Sequence, residues 1–342
     1  MDAPHLHDDR GWLRRRLARH PVAASLGAVA LICAVAVGLA YQRLASQQRP
    51  DPDFDARVAS PAYPAIHPTV LIDAAHHNFH TARGNYRPFA ELLRSDGYEV
   101  VSNGEDFRAA TLDVARVLVI ANALGAKGVV AMLADLVGFH RALDADIQAF
   151  TAAECDAVRD WVAAGGGLLL IADHAPMGKA AQAMAGRFGV EMSNCYTEDD
   201  RHCVPDHYSW LVFTRDGGSL LAHPVTDGRG PEERVGTVIT FTGQSLKGPP
   251  GSVPFLRLGA TARDYPTRRS TYAEGRSAAG RAQGIALTYG RGRVVVLGEA
   301  AMLTAQVFRP PGQEVRLGME YPGSDDRRLA LNILHWLSGL TN

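Results

Sequence analysis

The sequence predicts an α/β protein built on a doubly wound, mostly parallel sheet, and three observations carry that prediction. Three short apolar runs end in acids: Thr69–Asp73, Gly167–Asp173 and Arg293–Glu299. Uninterrupted apolar runs of this length suit strands buried on both faces, as in a sheet covered by helices. Helical and strand patterns alternate from Thr69 to Val190, which is a βαβ rhythm. Cap signals fall where that rhythm needs them: Thr151-Ala-Ala-Glu154 is a capping box, and Gly165-Gly-Gly167 ends the helix it opens.

The elements follow in order. Strand 69–73 leads into a helix near 86–96, whose Phe89, Leu92 and Leu93 share one face. Strands at 99–102 and 115–121 come next, the second ending in Asn122. The capped helix runs through Val158, Trp161 and Val162 to the strand that reaches Asp173. A helix to Arg187 and a short strand near Val190 continue the pattern. Segments 191–235 and 245–282 are rich in Gly, Pro, Asp and Arg and read as surface insertions. Strands at 235–241, 283–289 and 293–297 complete the sheet. Helix 328–340 closes it, with Leu331, Leu334 and Leu337 or Trp336 facing inward.

The N-terminal part is different in kind. Residues 21–41 carry no charge and are long enough to cross a ~30 Å hydrocarbon core as one helix. Arg10, Arg14, Arg15, Arg16 and Arg19 precede them, against Arg43, Arg49 and Arg57 after. The positive-inside bias predicts a cytoplasmic basic N-terminus (1–20), a single-pass anchor (21–41) in a bacterial-type inner or plasma membrane, and an extracytoplasmic remainder. A cleaved signal peptide with Gly38-Leu39-Ala40 as its site is the alternative. Residues 42–68, with prolines at 50, 52, 61, 64 and 68, read as an extended tether to the main domain, 69–342. A formal net charge of −1 gives no basic footprint for nucleic acid. Export permits disulfides, and Cys195 and Cys203 flank a short polar loop, so a bridge is expected between them. The competing reading is a metal site formed with His202 and His207.

Four segments in order, Asp73-x-x-His76-His77-Asn78-Phe-His80, Tyr86-x-Pro-Phe-Ala through Asp96-Gly-Tyr98, Gly165 through Asp173-His174, and His223-Pro-Val-Thr226, together resemble class I glutamine-amidotransferase-like domains. The chain is most similar to the DUF4350 branch, with the ThuA-like group a more distant relative, and the likeness spans roughly 66–340. The resemblance implies a flavodoxin-like sheet and a sharp turn after the strand ending near Ala172, where true amidotransferases present a nucleophilic Cys. This turn reads Asp173-His174-Ala-Pro-Met-Gly178, and the helix residue Cys155 cannot substitute. Glutamine amidotransferase chemistry is therefore not supported. ThuA-like proteins place a His at this turn, which His174 matches.

Ligands of such sheets bind beyond the carboxyl ends of the strands. Candidate binding residues there are Asp73, His76, His77, Asn78, His80, Asn122 and Gln244. If the 76–80 segment is helical, His76 and His80 at i, i+4 share a face and could chelate a divalent metal. Strand-end acids and imidazoles equally serve as helix caps and loop ties. The primary functional expectation is an anchored domain binding a polar ligand, a carbohydrate or another hydroxylated molecule, at this edge. One alternative is a hydrolase, metal-dependent or not, with His174 as base or ligand, Asp173 as its orienter and Glu299 as acid/base. The other is a non-catalytic scaffold of an envelope or transport assembly.

Overall fold

The apolar runs pair in parallel. The computed structural model describes residues 49–136, 146–268, 270–308 and 314–341, and its largest sheet has nine strands. These are β1 (Thr69–Asp73), β2 (Glu99–Asn103), β3 (Val117–Ala121), β4 (Gly167–Ile171), β5 (Glu191–Met192), β6 (Leu246–Lys247), β7 (Val253–Arg257), β8 (Ala282–Tyr289) and β9 (Gly292–Leu297). The parallel part has the order β2-β1-β3-β4-β9. Beyond β9 the sheet turns antiparallel through β8, which pairs with both β6 and β7, and β5 forms the edge.

Side chains on successive strand residues point to opposite faces, and both faces are covered. Val70, Ile72, Val119 and Leu169 pack with helices α1 (Arg87–Ser95) and α5 (Asp326–Ser338), through Phe89, Leu92, Ile333 and Leu334. Leu71, Leu118, Leu168 and Leu170 face the other way. They meet Leu124, Val158, Val162 and Met184, from the start of α2 (Gly125–Leu136), α3 (Ala152–Ala163) and α4 (Met177–Gly186). Two helical layers around one sheet are what continuous apolar strands require. The first crossover from β1 goes outward to β2 and the next returns past β1 to β3, so the order reverses between β1 and β3. In sheets of this kind such a reversal is where ligands bind, beyond the carboxyl ends of the strands.

Three sequence expectations change. Residues 235–241 do not enter the main sheet; their strand, Thr237–Ile239, pairs with His207–Thr214 in a separate small sheet. The two insertions are not irregular throughout, because 246–247 and 253–257 extend the main sheet as β6 and β7. The proline-rich stretch is fastened to the domain from Arg49 onward. Arg49–Pro50 pair with Val307 and Gln306, Asp51 bonds Arg316, and Val58 N–H donates to Ser95 Oγ at 2.8 Å. Ala62 N–H donates to Asp96 Oδ1 at 2.9 Å, and Tyr63 Oη lies 2.8 Å from Ser338 Oγ. The expected membrane span, 21–41, lies outside the described residues. Among those, no helix is long and apolar enough to cross a membrane.

Candidate functional site

Because β1, β3, β4 and β9 run parallel, their carboxyl ends deliver Asp73, Asn122, Asp173 and Glu299 to one edge of the sheet. Hydrogen bonding sorts the polar side chains there into two networks.

Asn122 is the hub of the first. It is fully buried and sits at φ 51°, in the left-handed region that Asn tolerates better than most residues. Its Oδ1 accepts the Asp173 backbone N–H at 2.8 Å, which fixes the amide orientation. Nδ2 therefore donates, to Asp173 Oδ2 at 2.9 Å and to His80 Nδ1 at 3.1 Å. His80 lies against the Tyr86 ring at 4.9 Å, and its burial pushes its pKa down to about 3, so the imidazole is neutral. The other Asp173 oxygen accepts the Ala300 N–H at 3.0 Å. Next to it, Glu299 is fully buried, with Oε1 and Oε2 taking the N–H groups of Ala301 (2.6 Å) and Met302 (2.8 Å).

Two carboxyls enclosed together cannot both ionise. Burial lifts Asp173 to about 6, against the lowering effect of Asn122 and the Ala300 amide. Burial raises Glu299 well above the usual carboxylate range, and the Asp173 charge raises it further. Glu299, the carboxyl raised further, has no solvent exposure, while Asp173 is partly exposed. Tyr86, its hydroxyl donating to Ala300 O at 3.0 Å, is likewise pushed up by burial and by both carboxyls.

The turn after β4 is bound from two sides. Gln244 Nε2 donates to the carbonyls of Ala172 and Asp173, both at 2.8 Å, and its Oε1 accepts from Asn194 N at 2.7 Å. Gly243 passes so close that a Cβ there would lie 2.3 Å from Gly298 O and 2.8 Å from Glu299 Cβ. His174 stacks on Tyr196 at 4.3 Å; its Nδ1 donates to Ala175 O (2.8 Å), and Nε2 accepts from Arg268 (3.3 Å). Of the expected set, Asp173 and His174 are the members of this turn that solvent reaches, with exposed Arg268 beside them.

The second network starts at Asp73, which is fully buried and bonded to His76 Nδ1 through both oxygens, at 3.0 and 2.9 Å. His76 Nε2 lies 2.7 Å from Glu154 Oε1, and that oxygen also accepts the Phe107 N–H at 3.2 Å. Glu154 Oε2 caps α3 by accepting from Thr151 N and Oγ1. Burial opposes a charge on His76, but the Asp73 and Glu154 carboxylates outweigh it and raise its pKa.

His76 and His80 do not share a face. Residues 74–81 form a loop with His77 at φ 53°, not a helical turn. His76 lies among Phe107 and Phe150, on the α3 side of the sheet, and His80 beside Tyr86 and α1 on the other side. His77 and Phe79 are exposed, while Asn78 Nδ2 reaches Ala121 O at 3.4 Å.

No protein family model and no curated protein matches the sequence. The fold is similar to that of the mmIFT52 N-terminal domain. That solved structure has 14% identity and a TM-score of 0.55, covering 80% of this chain and 98% of its own. A ThuA-like protein from Bacteroides uniformis ATCC 8492 matches at 12% identity and TM-score 0.38, over 84% of this chain and 95% of its own. A GMP synthase-type protein from Thermoplasma acidophilum matches at 11% identity and TM-score 0.40, over 81% of this chain and 96% of its own.

The expected Cys195–Cys203 bridge is absent: both are free thiols, as is Cys155. Cys195 Sγ donates to Ser193 O at 3.3 Å, just before strand Tyr196–Glu198 carries the chain into pairing with Arg263–Tyr265. Cys203 lies on a later strand, paired with Leu211. Sequence reasoning also missed Glu154, Tyr86 and Arg268 as members of the strand-end networks. Glu154 was visible as a capping residue, and a cap motif does not reveal that its second oxygen faces an imidazole. A cleft of about 80 Å³ lies within the insertions, lined by Asp199, His202, Phe213 and Arg257 among others, and shares no residue with either network.

Proposed function

We propose that this chain is a membrane-anchored, extracytoplasmic domain of the amidotransferase-like, flavodoxin-like class, and that it binds a small polyhydroxylated ligand at the carboxyl edge of the sheet without transferring an amide nitrogen. The observation that carries the reading is Asp173. It is the partly open carboxyl of the first network, immobilised by Asn122 and the Ala300 amide, with the enclosed Glu299 beside it and a pKa held near 6. A fixed carboxylate next to an arginine and an aromatic-stacked imidazole offers acceptors and donors to vicinal hydroxyls at little ordering cost. The same turn carries no Cys, Ser or Thr from Asp173 to Gly178, which favours binding over acyl transfer. Glu299, with both oxygens held by backbone amides, tunes Asp173 rather than touching the ligand.

The test is thermal stabilisation of the detergent-purified full chain by a panel of pentoses, hexoses and linear polyols, repeated with Asp173→Asn. A ligand that raises Tm in the wild type and not in the variant supports the reading. No stabilisation across the panel, or an equal shift in both proteins, removes it. The anchored topology is tested separately by fusing alkaline phosphatase after Asn342, which is active only outside the cytoplasm.

A further inference from the structure

His76 is clamped between two carboxylates, one on each ring nitrogen. Asp73 takes the Nδ1–H on both oxygens, which makes Nδ1 the protonated nitrogen and aims Nε2 at Glu154 Oε1, 2.7 Å away. A neutral imidazole in that tautomer would set the Nε2 lone pair against a carboxylate lone pair, so either a second ring proton or a metal ion stands between Nε2 and Glu154 Oε1. Asp106, exposed just before Phe107, adds a third carboxylate: one donor atom from each of His76, Asp106 and Glu154 lies within 4.8 Å of the others. The geometry points to a divalent-cation site formed by His76 Nε2, Glu154 and Asp106, suited to Zn²⁺, with Asp73 as the carboxylate that orients the imidazole.

One imidazole and two carboxylates are donor types that zinc takes, and three protein ligands leave a further coordination position for water. A carboxylate on the far nitrogen of a ligating histidine is the usual second layer of such sites, fixing tautomer and ring orientation. Phe107 and Phe150, with ring centroids 4.6 and 4.8 Å from the imidazole and 5.9 Å from each other, pack on adjoining sides of it, and Asp106 is the exposed member of the group. Charge argues the same way: with three carboxylates around one imidazole, a proton cancels one negative charge and a divalent ion two. Tetrahedral bonds of about 2.0–2.1 Å place donors roughly 3.3 Å apart, so the Nε2–Oε1 gap opens by about half an ångström. Glu154 can supply that movement while Oε2 stays on Thr151.

The site is independent of Asp173, and the experiment keeps the two separate. The full chain in detergent is stripped with chelator and titrated calorimetrically with Zn²⁺, beside Asp106→Asn, a same-size change at an exposed position. The proposal expects a stoichiometric ion whose affinity falls ~10–100-fold in Asp106→Asn with the circular dichroism spectrum unchanged. Zinc X-ray absorption of the complex should show nitrogen and oxygen neighbours and no sulfur. Absence of stoichiometric binding, equal affinity in Asp106→Asn, or sulfur in the shell (which would put the ion at Cys203) overturns it. Asp173→Asn should leave Zn²⁺ affinity unchanged whatever becomes of the polyol ligand.

Discussion

Asn122 and Asp173 hold each other across the ends of β3 and β4: Asp173 donates its N–H to Asn122 Oδ1 at 2.8 Å, and Asn122 Nδ2 returns a bond to Asp173 Oδ2 at 2.9 Å. The pair fixes the one carboxylate of its network that solvent reaches. Asn122→Ala removes both bonds, leaves His80 Nδ1 without its donor, and puts an alanine at φ 51°. The combined loss is about 2–4 kcal/mol of unfolding free energy, measured by chemical denaturation. A loss below about 0.5 kcal/mol would mean that water replaces the clamp at no cost.

Close backbone approach beside Glu299 makes a second prediction. Gly243→Ala drives a methyl into Gly298 O and Glu299 Cβ, neither of which is the end of a flexible side chain. Its cost is of the overpacking kind, about 1–3 kcal/mol. Gly104→Ala is the control, since a Cβ there meets nothing within 4 Å. Equal stability of the two variants would contradict the contact.

His223 predicts a pH dependence. Its Nδ1 accepts the Val225 N–H at 3.2 Å, and its ring meets Trp336 edge-on at 4.7 Å. Burial holds its pKa down, to about 4. The folded value lies below the ordinary ~6.5, so the unfolded chain binds more protons in this range. Stability from this group is complete above ~6.5, falls as pH drops toward 4, and changes no further below that. His223→Asn keeps an acceptor and removes the titration, so its Tm should fall less steeply than the wild type's between those limits. His80 acts in the same direction, which is why the comparison between the two proteins, and not the wild-type slope, is the measurement.

The thiols give a chemical check. Alkylation of the native protein without reductant should label Cys195 and Cys203, both half-buried. Cys155 is fully enclosed, and burial pushes its thiol up to about 11, so it should label only after unfolding. Failure of both Cys195 and Cys203 to label before reduction would restore the bridge.

The apolar strands between Thr69 and Ile171 were legible because strands buried on both faces, such as Val117–Ala121, must be apolar throughout, whatever their neighbours; the helix Gly125–Leu136 was not read from the sequence. Thr237–Ile239 carries a similar pattern, yet joins another sheet, because its partner is decided by the position of His207–Thr214, which no local pattern encodes. At the site, Asp73, Asn122, Asp173 and Glu299 were visible as polar residues closing apolar strands. Their division into two networks was not, because it depends on which face of the sheet the 74–81 loop presents each imidazole to. Asp106 and Glu154 were hidden for a related reason: each lies in a segment remote from β1 and meets His76 only when the sheet and its helices pack.

The stretch from Arg49 to Tyr63 has a mechanical consequence. A pull arriving along the preceding residues enters the domain at the edge of the hairpin formed by 305–308 and 315–318, where Arg49–Pro50 and Asp51 are attached. Behind it, Val58, Ala62 and Tyr63 are moored to Ser95, Asp96 and Ser338 at the ends of α1 and α5. In the anchored chain proposed above, a pull would therefore meet these attachments before it reached β1 and the strand that carries Asp73.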